Sequence, residues 1–199
     1  MRKEKTQVKY IVAISLMLNL GVASVYAQQH PVKMAFSGTV APSAVNLQQP
    51  NTTNDEENYA GNGTLGPFTF RNVRAIAASP QSSSTCSGPN QIYFPSDFGA
   101  GVFRFEDGSL LEVNLTHGGD CIDVVAQEAR CTLTFHITGG TGRFKGASGA
   151  LTLAEAVRPV LVDALKNPVF FAATGKFTGT VSGVAREADS QPDRQEEQQ

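Results

Sequence analysis

The side chains of this chain that could do chemistry are few and scattered. His117 and Cys121 stand four apart, a spacing that metal ligands use on one helical face. Gly118-Gly119 between them breaks such a helix, so no metal site is expected. His136 alternates with Thr132 and Thr134, and a lone imidazole with no identifiable partner is not a general-base unit. It is expected on the solvent side of a strand. Arg104 and Glu106 share one strand face and read as an exposed cross-strand pairing site, the alternative being an inward pair that anchors a polar ligand. Tyr59 and Tyr93 are candidates for lining the mouth of a β-structure, a place Tyr also takes on any half-buried strand. Asn114-Leu115-Thr116 matches a glycosylation acceptor. No catalytic residue can be assigned from these groups, and no cofactor is implied.

The three cysteines carry more information. An oxidising compartment would pair two of Cys86, Cys121 and Cys131. Cys121 and Cys131 flank Ile122-Asp123-Val124-Val125 as though on two arms of a hairpin, and their bridge is the first expectation. Closing that loop would contribute on the order of 2–3 kcal/mol. Cys86, in a Ser-rich loop, is the alternative partner of either one.

The N-terminus supports such a compartment. A basic stretch, Met1 to Lys9, precedes an apolar run from Tyr10 to about Val25. Val25-Tyr26-Ala27 then offers short residues at the positions a signal peptidase reads, so residues 1–27 are expected to be a cleaved signal peptide. The run falls short of the roughly 20 residues that span a bilayer, and Asn19 interrupts it. The expected location is secreted or periplasmic, without membrane insertion after cleavage. This leader holds four basic groups against one acid, so a chain of formal charge −2 leaves about −5 on the remainder. That acidity excludes a nucleic-acid partner, which needs a basic stripe.

The elements that would position these groups are strands. Of 199 residues, 19 are Gly and 10 are Pro, and only 17% are charged, a turn-rich globular profile. Alternation predicts strands at Met34 to Val40, about Gly63 to Ala77, Gln91 to Phe94, Gly101 to Glu106, Leu111 to Leu115, Ile122 to Val125, Cys131 to Thr138 and Ala150 to Leu153, with Phe170 to Ala173 and Lys176 to Val184 last. Residues 41–62, with Asp55-Glu56-Glu57, read as a long flexible loop, and 79–90 as another. Asp107-Gly108 predicts a two-residue type I′ hairpin turn. Ala154 to Lys166 carries apolar residues at three- and four-residue spacing and predicts one short helix before the last strands, stopped by Asn167-Pro168. The tail 186–199 is charged and Gln-rich and reads as disordered.

The first and last strands carry nearly the same string, Phe36-Ser37-Gly38-Thr39-Val40 and Phe177-Thr178-Gly179-Thr180-Val181. Glycine inside strands permits the coiling of a small barrel. Residues 28–185 are therefore expected to form an all-β domain, either a closed antiparallel barrel of about eight strands or a two-sheet sandwich, which periodicity alone cannot separate.

Between two of these strands lies Gly139-Gly140-Thr141-Gly142-Arg143-Phe144-Lys145-Gly146-Ala147-Ser148-Gly149. This string resembles a turn of the allene oxide cyclase and dirigent barrel superfamily. It is most similar to the exported bacterial proteins with an allene oxide cyclase-like barrel. The resemblance implies an eight-stranded barrel, with Gly139, Gly140, Gly142, Gly146 and Gly149 shaping the turn and Phe144 plugging one end. A dinucleotide loop has similar glycine spacing, but strand–turn–strand context offers no helix to cradle a phosphate.

The resemblance carries over no catalytic residue. The leading expectation is a non-enzymatic module that binds a small apolar molecule inside the barrel. The alternatives are a cyclase- or dirigent-like, isomerase-type enzyme steering a reactive intermediate, and a structural or interaction protein of the cell envelope acting through its loops.

Overall fold

The computed structural model describes residues 28–86 and 88–185. The expected leader and tail lie outside the described residues.

Nine strands follow one another: β1 (His30–Pro42), β2 (Thr52–Gly63), β3 (Phe68–Ala77), β4 (Gln91–Pro95), β5 (Phe98–Phe105), β6 (Leu110–Asp123), β7 (Glu128–Gly140), β8 (Ser148–Val162) and β9 (Pro168–Ser182). All pairings are antiparallel. The short β4 and β5 lie along successive halves of β6: Gln91 faces Asp123 and Arg104 faces Leu110 in one continuous register. They act as a single interrupted stave, so the barrel closes with eight. Its order is a meander whose first and last strands zip together, Met34 opposite Phe177 and Phe36 opposite Gly175. The two Phe-Ser/Thr-Gly-Thr-Val strings are thus neighbours, and a Cβ at Gly38 would fall on the Asn58 carbonyl oxygen of β2.

Period two explains the interior. Met34, Phe36, Phe68, Phe70, Phe103, Phe105, Phe135, Leu151, Leu153 and Phe177 are buried along alternate positions of their strands. Their rings interlock: Phe177 lies 5.0 Å from Phe36, 5.1 Å from Phe70 and 4.9 Å from Phe103. One end of the barrel is therefore solid. Phe144 closes that end, fully buried and 4.7 Å from the Phe105 ring. The glycine-rich turn that delivers it is a single 3₁₀ turn at Gly142–Phe144, with Gly142 and Gly146 at positive φ.

Several expectations need correction. No helix forms at 154–166, because β8 runs through to Val162 with Ala154, Ala156 and Arg158 facing β9 partners. The three- and four-residue spacing there coincides with a strand whose odd positions Leu151, Leu153, Glu155 and Val157 face inward. Residues 52–63 are a strand and not loop, since polar side chains can line a barrel interior as well as a surface. The hairpin turn after β5 is three residues long. Gly108 alone takes positive φ, and the Gly108 amide donates to the Phe105 carbonyl, a type I turn with a glycine bulge.

Candidate functional site

The other end of the barrel is chemically different. Strand β3 reads Phe68, Phe70, Asn72, Arg74, Ile76 on its inward face, so the run that begins in the phenylalanine layer continues into a guanidinium. Strand β2 lies beside it, with Asp55 opposite Arg74, Glu57 opposite Asn72 and Tyr59 opposite Phe70. Alternation along Asp55-Glu56-Glu57 turns the first and third inward and the second outward to Arg71.

Arg74 is fully enclosed, and each of its three side-chain nitrogens has a partner. Its Nε donates to Glu57 Oε1 at 2.6 Å, and its Nη1 donates to Asp120 Oδ2 at 2.8 Å and Ser96 Oγ at 2.9 Å. Its Nη2 points at the Cys131 sulfur, 3.9 Å away. Asn72 Nδ2 donates to the second oxygen of Glu57 at 2.9 Å. Burial works against the charge on Arg74, but Asp120 and then Glu57 outweigh it and hold the guanidinium well above its usual value.

Asp120 reaches this cluster because β6 is bulged. Leu111, Val113 and Leu115 face inward, then Thr116 and His117 both face out, and the register against β7 shifts between Leu115 and His117. One extra residue reverses the parity of everything beyond it. Asp120 therefore faces Cys131 inside, and Cys121 faces out.

The same shift decides the disulfide. The expected Cys121–Cys131 bridge does not form: the two sulfurs project from opposite faces of the sheet. Cys121 instead pairs with Cys86 of the β3–β4 loop, at a Cα–Cα distance of 5.5 Å, and Cys131 is a buried free thiol. Burial pushes that thiol up, out of the range in which thiolates form readily.

Glu155 completes the belt from β8, opposite Cys131. Neither of its carboxyl oxygens, nor the Tyr59 hydroxyl near it, makes a hydrogen bond. Burial first, and Glu57 second, raise Glu155 to about 8. Asp55 rises to about 6, again chiefly through burial, with Arg74 opposing and Asp120 and Glu57 reinforcing.

Above this belt the barrel opens into a cavity of about 450 Å³. Its walls are Val40, Ile76, Phe94, Ile122, Val157 and Phe171, and its floor is Asp55, Arg74, Asp120 and Cys131. The volume is within the range of small-molecule sites. The rim is formed by the β6–β7 turn, the end of β8 and the β8–β9 loop, which leave Val124, Val125, Val160, Leu161, Val162 and Leu165 exposed.

Most residues singled out in the sequence stand away from this site. His136, Arg104 and Glu106 are exposed on the outer surface, as is His117, whose ring hydrogen-bonds to the neighbouring Thr116 hydroxyl. Tyr93 donates from its hydroxyl to the Gly118 carbonyl, while Tyr59 lies inside, stacked 4.3 Å from Phe36. No group of three or more potential metal ligands occurs among the described residues, and no helix among them is long and apolar enough to cross a membrane. The residues that build the site escape a reading by motif, yet the sequence holds a signal for them. Arg74 shares parity with Phe68 and Phe70, and Glu155 with Leu151 and Leu153. A charged residue in register with a buried run is an inward charge.

No family model matches the chain, and no curated relative is found. Among solved structures, a pterocarpan synthase dirigent protein is similar to 78% of this chain over 91% of its own, at 11% identity and a TM-score of 0.35. At that depth the barrel rests on its own strand ladder, which is complete.

Proposed function

We propose that this chain is an exported small β-barrel protein that binds a small, largely apolar molecule end-on in the open half of its barrel. The observation that carries this reading is the division of one interior into two halves. Phenylalanines fill one end, while the other is a roomy apolar shaft ending on buried Arg74 and Asp120 and half-buried Asp55. A barrel with a purely structural role gains nothing from ending its core on a charged belt, since burying ion pairs seldom stabilises a fold more than packed side chains would. The Cys86–Cys121 bridge is in keeping with export to an oxidising compartment.

A second reading has one observation in its favour. Asp55 titrates near 6 at the cavity floor, so it could give or take a proton from a bound reactive intermediate, as an isomerase-type enzyme requires.

Native mass spectrometry of protein recovered from its export compartment tests the first reading. A retained small molecule, lost in a Val157→Phe variant that fills the shaft, is the expected result. An empty wild-type barrel that also fails to take up apolar probes would overturn it. Conversion of a retained molecule into a product would favour the second reading.

A further inference from the structure

The charges facing the cavity are unbalanced. Among the described residues, Arg74 is the only basic one in its lining, against Asp55, Asp120, Asp123 and Glu128. Glu128 is held at the rim by Arg130 and Arg158, and Asp123 accepts from the backbone amides of Val125 and Ala126. That leaves Asp55 and Asp120 on the floor, with Glu57 and Glu155 directly behind them.

Glu155 keeps its proton to about 8, and Arg74 alone cannot balance the three carboxylates that remain. Four of its five N–H donors go to Glu57, one oxygen of Asp120, Ser96 and the Cys131 sulfur. Asp120 lines the shaft and is 4% exposed, and its Oδ1 is a buried oxygen with no hydrogen-bond partner. A buried, unpartnered carboxylate oxygen costs free energy until a donor reaches it.

We infer that the ligand of this cavity is a lipophilic amine, its ammonium seated between Asp55 and the free Oδ1 of Asp120 and its hydrocarbon body along the apolar walls. This rests on the cavity being a binding site and goes further by fixing the sign of the ligand's charge. A carboxylate head would face a floor on which carboxyls outnumber the one guanidinium. A neutral alcohol would satisfy Asp120 without relieving the charge. An ammonium does both, and its three donors suffice for two carboxylates.

The test is a calorimetric titration of the folded protein at pH 7.5 with decylamine, decanol and decanoate, which share one body and differ only in the head. Decylamine is expected to bind at least about ten-fold tighter than decanol, with decanoate weakest. The advantage of the amine should shrink toward pH 5, as Asp55 takes up its proton. It should also fall in Asp55→Asn and in Asp120→Asn. Either variant suffices should the other not fold, and the ranking on the wild-type protein stands without them. Equal affinities, a preference for decanoate, or an amine preference that both folded variants keep would overturn the inference while leaving the cavity as a binding site. Saturable binding of none of the three would overturn both.

Discussion

Arg74 on β3 and Asp120 on β6 lie 46 positions apart and meet at 2.8 Å inside the barrel, across the intervening β4–β5 stave. The contact exists because one extra residue at Thr116 flips the last third of β6. Without that bulge Cys121 would face inward with Cys131, and Asp120 would face solvent. A single irregularity therefore builds the floor of the cavity and chooses the disulfide.

Replacing Arg74 with Met should be among the most damaging single changes in the chain. It leaves Glu57 and Asp120 enclosed without their ion-pair partner, and breaking such a pair costs about 3–5 kcal/mol. Denaturant unfolding at pH 7 measures the loss. The deficit should narrow at pH 5, where protonation relieves the uncompensated carboxyls. A variant as stable as wild type would show the belt to be solvated.

Stability should decline as pH rises. Folded Glu155 keeps its proton to about 8 against an ordinary value of 4.5, and Asp55 to about 6 against 3.8. Between those limits the folded state binds more protons than the unfolded one. Their contribution is therefore complete below the ordinary values and is lost as pH climbs through about 6 and then 8. Thermal unfolding from pH 5 to 9 should show Tm falling in two stages, with the upper stage absent in Glu155→Gln. A flat profile in the wild-type protein would contradict the burial of both groups.

Peptide mapping without reductant should recover Cys86 linked to Cys121, with Cys131 alkylated only after unfolding. Cys86→Ser should lower stability by about 4 kcal/mol, the chain-entropy value for a 35-residue separation. Recovery of a Cys121–Cys131 peptide would mean that the bulge at Thr116 does not form.

Phe144→Ala should cost about 3–4 kcal/mol, because it opens the closed end beside Phe105. Gly142→Ala should be harmful for a different reason. Its φ of +57° disfavours a side chain, and a Cβ there would collide with Ser109. Urea midpoints of both variants, set against an outer-face control such as His136→Ala, measure the effect. Parity with the control would remove the turn's structural role.

Much of the barrel is written locally. Alternating Phe, Leu and Val mark strands wherever apolar residues recur every second position, and the twin Phe-Ser/Thr-Gly-Thr-Val strings mark the two that meet. The glycine-rich turn before β8 is legible because positive φ is a property of single residues. Where polarity mimics exposure, as at Asp55-Glu56-Glu57, or apolar spacing mimics a helix, as at Val157 to Leu165, the local pattern misleads. An inward charge looks like a loop, and a strand reaching past the barrel rim has no buried face to enforce its alternation.

The composition and periodicity of the chain by themselves determined an all-β domain and most of its strands, and the twin strings pointed to the meeting of its ends. They could not determine which side of β6 faces inward beyond Leu115, because a bulge is an agreement between two strands and leaves no mark on either alone. Tertiary structure decided that, and with it the Arg74 cluster, the cavity above it and the partner of Cys121. Each of these depends on which residues from distant strands share one interior.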